Sequence, residues 1–105
     1  MTHERVQSWL GARRPARPAA LEAQMSRSVQ QCPAPVLEAA PTMAEAMGLL
    51  GLRSLASVAG REPDGPQLAM DLLAADAFVT YAFEAAAEEA VGVQPLVTRL
   101  LHEAV

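Results

Sequence analysis

The stretch Gln67–Ala90, QLAMDLLAADAFVTYAFEAAAEEA, runs 24 residues without glycine or proline and is the strongest helical signal in the chain. Ala, Leu, Glu and Met dominate it, and these are the residues that lose least on entering a helix. Leu68, Leu72, Ala75, Val79, Phe83 and Ala86 recur at spacings of three and four, so at about 100° per residue they share one stripe. That stripe is expected to face the core. Met70, Leu73, Phe78 and Tyr81 project elsewhere, and a helix apolar on more than one side is expected to be covered on more than one side. The rest of the chain then has to supply neighbours, with any shortfall made good by another molecule.

The surrounding punctuation sets the other elements. Thr2 is placed to cap a short helix over residues 2–11, with Val6, Trp9 and Leu10 on one face. The following ARRPARP cannot stay helical and reads as an extended, arginine-bearing linker to residue 17. From Pro18 to about Cys32, Leu21, Met25, Val29 and Cys32 form a stripe, ended by the prolines of CPAP. Residues 33–41 read as a linker or a single helical turn. Thr42 and Glu45 make a capping box that starts a helix to about Ala59, with Met43, Met47, Leu50, Leu55 and Val58 inward and Leu49 and Leu52 widening the face. Gly48 and Gly51 inside it lower propensity and permit a close helix contact. After the break GREPDGP, Asp64 and Gln67 repeat the capping-box spacing at the head of the central helix. Gly92 is expected to end that helix, and Pro95 to open a last one carrying Leu96, Val97, Leu100, Leu101 and Val105 that folds back on it. No internal repeat and no alternating run suggests a strand. The expected fold is all-α: one domain over residues 1–105, a bundle of four to five helices around a central helix of about residues 66–91, with residues 1–17 as a short helix plus linker and 18–105 as the helical core.

Charge is unevenly placed. Residues 1–35 hold five arginines against Glu4 and Glu22, net +3, and residues 36–105 hold three arginines against ten acids, net −7. The acidic body argues against nucleic-acid binding, and the basic third is able to lie against it. Trp9 beside Arg13, Arg14 and Arg17 forms an aromatic and basic cluster suited to an anionic membrane surface or an acidic partner. Cys32 is the one cysteine, so intramolecular disulfides and thiolate-rich metal sites are excluded, and a reducing cytoplasm is the expected setting. The first residues lack the apolar run of a signal peptide, and Asp71, Asp76 and Glu84 interrupt any stretch long enough to span a membrane.

Chemistry-bearing patterns are sparse. Asp71 and Asp76 are the acids expected to be partly buried, but five residues apart they diverge around the helix and suit one metal ion poorly. Glu84 and Glu88 lie one turn apart, without the Glu-x-x-His element of di-iron bundles. His3 and His102 complete no metal or catalytic pattern, and Cys32 on an apolar stripe reads as a small core residue. The glycines fit no phosphate loop. No metal or cofactor is expected.

The segment LAADAFVTYAFEAAAE, residues 73–88, resembles a helix of the trans-prenyl diphosphate synthases, which often carry a Gly-Asp-Ala pattern followed by apolar residues and Ala-Phe-Glu. Ala75 stands where that family's glycine would be, and the aspartate-rich metal motifs are missing, so the resemblance implies neither activity nor site residues here.

The expected function is a small soluble interaction or oligomerisation module without a catalytic site. Its interface would use Met70, Phe78 and Tyr81 with Trp9, and the partner would be a second copy or another protein. The alternative is a small apolar-ligand binder or enzyme, with Asp76, Thr80 and Tyr81 as polar groups of an interhelical pocket.

Overall fold

The computed structural model describes residues 1–60 and 65–104, with side chains described through residue 90 and at Thr98, Leu101 and His102 beyond it. It is all-α, with no strand among the described residues. Five helices follow one another: α1 His3–Gly11, α2 Ala19–Gln31, α3 Ala34–Glu38, α4 Met43–Val58 and the long α5 Pro66–Ala104.

Local chemistry explains the starts. The Thr2 hydroxyl accepts the Arg5 N–H at 3.2 Å, and the Thr42 hydroxyl accepts the Glu45 N–H at 3.1 Å, each relieving an orphan donor of a first turn. A second orphan of α4, the Ala44 N–H, is taken at 3.1 Å by the Glu89 carboxylate reaching across from α5. Pro18 and Pro33 sit just before α2 and α3 in extended backbone, at the cap rather than inside the first turn. The α4–α5 connection is bracketed by Gly60 at φ +80° and Gly65 at φ +89°, left-handed conformations that favour glycine. Asp64, expected to cap α5, lies outside the described residues. Gln67 donates to Asp71 at 2.9 Å.

α4 and α5 form an antiparallel hairpin that dominates the fold, and α1, α2 and α3 close over one of its sides. A Cβ built on Gly51 would stand 3.1 Å from Val79 Cγ2 and 3.4 Å from the Phe78 Cβ, so the helices approach here because residue 51 has no side chain. Gly48 has nothing within 4 Å of the same position, so only one glycine of the pair serves the contact. The core collects Val6, Leu10, Met25, Val29, Cys32, Leu37, Met47, Leu50 and Phe78, all nearly free of solvent. The expected stripes of α1 and α2 are thus the buried ones.

α5 departs from expectation in two ways. Its inward face is Asp71, Ala74, Ala75, Phe78 and Ala85, with Tyr81 and Ala82 half-buried. Leu72, Val79 and Phe83, expected in the core, are 45%, 37% and 75% exposed, and Ala86 is exposed with them. Two stripes with helical spacing coexist on this helix about 120° apart. The one rich in alanine, which also carries Phe78, turns inward, and Val79 sits at its border against Gly51. α4 turns the same way: Met47 and Leu50 are buried as expected, while Leu52 and Leu55 are exposed and Ala46, Gly51 and Ser54 take the inner positions. Ser54 is satisfied within its helix, donating to the Leu50 carbonyl at 2.8 Å.

The second departure is length. Gly92 does not end the helix and Pro95 does not open another; α5 is one element of 39 residues, and no last helix folds back. A proline inside a helix removes one hydrogen bond at a cost of about 3 kcal/mol, and α5 runs through Pro95 all the same. At 1.5 Å per residue α5 is about 58 Å long. It accounts for the 61 Å long axis of the molecule.

The two glycines of α4 give opposite expectations. Gly48→Ala should raise stability by about 0.5–1 kcal/mol, since it adds helix propensity in open space. Gly51→Leu should lower it by about 1–3 kcal/mol by forcing the hairpin apart. Urea titration followed by far-UV circular dichroism distinguishes them; two shifts of the same sign would contradict the packing described.

Candidate interaction surface

Among the described residues, most of the exposed large apolar side chains lie on the outward face of the hairpin. It carries Leu52 (67% exposed) and Leu55 from α4, and Leu72, Leu73, Val79 and Phe83 from α5. The register makes it continuous. Gly51 is level with Val79 and Ala44 with Glu89, so Leu55, one turn beyond Gly51, comes level with Ala75 and within a turn of Leu72. Large side chains exposed in one contiguous group, rather than scattered singly, mark a contact surface.

The residues expected at an interface lie elsewhere. Phe78 is fully buried in the chain's own core, because it stands on the alanine-rich stripe that meets α4. A face containing it cannot be open to a partner. Met70 is half-buried. Tyr81 and Trp9 face each other edge to face, ring centroids 5.9 Å apart and planes at 90°. The polar pocket expected at Asp76, Thr80 and Tyr81 is not assembled: Asp76 and Thr80 are exposed, about 140° and 100° around the helix from Tyr81.

Among the described residues the buried carboxylate is Asp71, one of the two acids expected to be partly buried. Its Oδ1 accepts from the Gln24 and Gln67 side chains, each at 2.9 Å. It borders a polar cleft of about 300 Å³ lined also by Ser28, Gln31, Arg53, Ser54 and Ser57. The three serine hydroxyls donate to carbonyls of their own helices, which leaves the cleft without a free nucleophile among them. His3 Nε2 lies 2.7 Å from the Cys32 carbonyl, and Cys32 is buried as an unpaired thiol. Among the described residues no three His, Cys, Asp or Glu side chains converge to hold a metal ion, and no helix is long and apolar enough to cross a membrane.

Two arginines of the basic cluster, Arg13 and Arg17, are engaged inside the molecule, while Arg14 is exposed and donates to the Gly11 and Arg13 carbonyls of its own segment. Arg13 stacks over the Trp9 ring at 4.0 Å, pairs with Glu84 at 3.1 Å, and makes a second, short contact to Glu88. Trp9 Nε1 donates to the other Glu88 oxygen at 3.2 Å. Arg17 donates to the Tyr81 hydroxyl at 3.2 Å and to the Leu10 carbonyl at 3.1 Å, its side chain only 9% exposed. Arg13 and Arg17 are therefore not free linker charges. They fasten the amino-terminal segment to the acidic side of α5, the pairing that the charge asymmetry made available. The Arg13 hydrogen bond, helped by that of Trp9, holds the Glu88 carboxyl below its ordinary value of 4.5, and the same pairing raises Arg13.

Because Glu88 is more acidic in the fold than in the unfolded chain, its pairing favours the fold above the ordinary carboxylate value and is lost as pH falls below 4.5 through the depressed value. Trp9 is the chain's only tryptophan and reports on the pairing directly. Its emission should shift in that acid range while helicity persists. Glu88→Gln should show the shifted emission already at neutral pH and lack the acid step; wild-type emission and an unchanged acid profile in that variant would contradict the pairing.

No protein-family model matches the chain, and neither a curated protein nor a solved structure does, so the meaning of the open face is argued from the face itself.

Proposed function

We propose that the chain is a protein-interaction module whose contact surface is the outward face of the α4–α5 hairpin, centred on Leu72, Val79 and Phe83 with Leu52 and Leu55 beside it. One observation carries the reading: Phe83, one of only two phenylalanines, is 75% exposed while alanines of the same helix fill the core. Keeping the large side chains of a helix outside is unfavourable for an isolated domain and favourable for one that meets another surface. The lone, buried thiol of Cys32 suits a reducing cytoplasmic setting.

Charging this face leaves the fold intact if it is a contact surface. The double variant Leu72→Glu with Phe83→Glu should keep wild-type helicity and melt within a few degrees of wild type, whereas Phe78→Glu should unfold by burying an unpaired charge. The wild type should show a solution mass above 11.1 kDa or bind the apolar dye anilinonaphthalene sulfonate, and the double variant should do neither. Unfolding of the double variant, or a wild type with neither property, would contradict the reading.

A further inference from the structure

The outward residues of α5 fall on a seven-residue repeat. Leu72, Val79 and Ala86 make one set, Asp76, Phe83 and Ala90 lie four residues after each, and all six are exposed. The helix continues unbroken, and the sequence places Val93, Val97, Leu100 and Ala104 at the same register positions. Ten positions spaced alternately by four and three, with Asp76 the one charge, make a coiled-coil seam of nearly five heptads. A straight helix would carry such a repeat off one face by about 20° per heptad, so a seam this long keeps its face only when wound on another helix. Of these positions Val79 borders α4, its Cγ2 beside Gly51, and the other described ones lie on the side of α5 away from its buried stripe.

The hairpin accompanies only part of it. α4 begins level with Glu89, and residues 90–104 carry α5 about 22 Å further. The side chains described there, Thr98, Leu101 and His102, are all exposed. A helical segment bearing Gly92 and Pro95 is weak by propensity and depends on packing.

We propose that the seam takes a second copy of the chain, antiparallel, so that residues 91–104 of one α5 lie over Leu52, Leu55, Leu72, Val79 and Phe83 of the other. This rests on the reading of that face as a contact surface and names its occupant. Three features fix the direction. A parallel pair would set Asp76 against Asp76 inside an apolar seam; the antiparallel pair sets it level with Leu100, beside Arg99 and His102, the only basic side chains of the last 15 residues. The antiparallel centre falls between Ala86 and Ala90, small residues that allow close approach where the helices cross. The two bundles, each confined to the stretch of α5 before Glu89, then sit end to end without overlap, and each lends its extended segment to cover the other's leucines.

The experiment combines mass with distance, in the full chain carrying Cys32→Ser. Sedimentation should give twice 11.1 kDa, falling to 11.1 kDa with either Phe83→Glu or Leu100→Glu. Spin labels at Leu73→Cys and, separately, at Thr80→Cys should lie about 45 Å and about 25 Å apart across the dimer, from the 1.5 Å rise per residue. Short separations at both, in a dimer that Phe83→Glu dissociates, would overturn the antiparallel arrangement and leave the contact face standing. A dimer indifferent to Phe83→Glu would overturn both. A monomer at every concentration would overturn the second copy as occupant, and the dye and stability measurements would then decide the face alone.

Discussion

The approach of α4 to α5 at Gly51 sets the rest of the architecture. With no side chain at residue 51, the Val79 backbone N and Cγ2 and the Phe78 Cβ come up against α4 there, and small residues line much of the rest of the contact. Ala46, Ala74, Ala75 and Ala85 supply them, with Phe78 filling the space on the side where α1, α2 and α3 converge. Leu52 and Leu55 of α4 and Leu72, Leu73 and Phe83 of α5 are left outward, while Met47, Leu50 and Phe78 fill the core. The closeness of the hairpin and the openness of its far face are one fact seen from two sides.

Polar groups hold this geometry at its ends. Glu89 spans from α5 to the first turn of α4 and fixes their register where the helices begin to diverge in length. Near the other end of the hairpin, Asp71 is tied by Gln24 and Gln67, linking α2 to the start of α5. Between them, Trp9, Arg13 and Arg17 tie the amino-terminal segment to Tyr81, Glu84 and Glu88. Charge pairs at the surface contribute little each. Here stacking, a shared carboxylate and two backbone carbonyl acceptors orient a network, so its main effect is to position α1 over Val29 and Leu37 rather than to add much stability.

Much of this was legible in the residues and some was not. Caps at Thr2 and Thr42, the stripes of α1 and α2, and the break before Pro66 follow from local chemistry, and local chemistry decided them. The choice between the two stripes of α5 did not. Summed hydrophobicity favours Leu72, Val79 and Phe83, but which stripe turns inward depends on what faces it, and that is set by Gly51 on another helix. Phe78, expected at an outer interface, accordingly lies on the inner side. The length of α5 is not legible for a different reason: Gly92 and Pro95 are strong stop signals locally, yet the helix runs through both. Of the two acids expected to be partly buried, Asp71 is buried and Asp76 is exposed, because only Asp71 lies on the inward stripe of α5.

The chain's two phenylalanines sit on the two competing faces, so one measurement on both tests the assignment most directly. With 4-fluorophenylalanine at both positions, and resonances assigned by Phe83→Leu, fluorine spectra recorded across a wide range of protein concentration should show the Phe83 signal moving with concentration while the Phe78 signal stays fixed. A Phe78 signal that follows concentration beside a constant Phe83 signal would mean that the inner and outer faces of α5 are the reverse of those described.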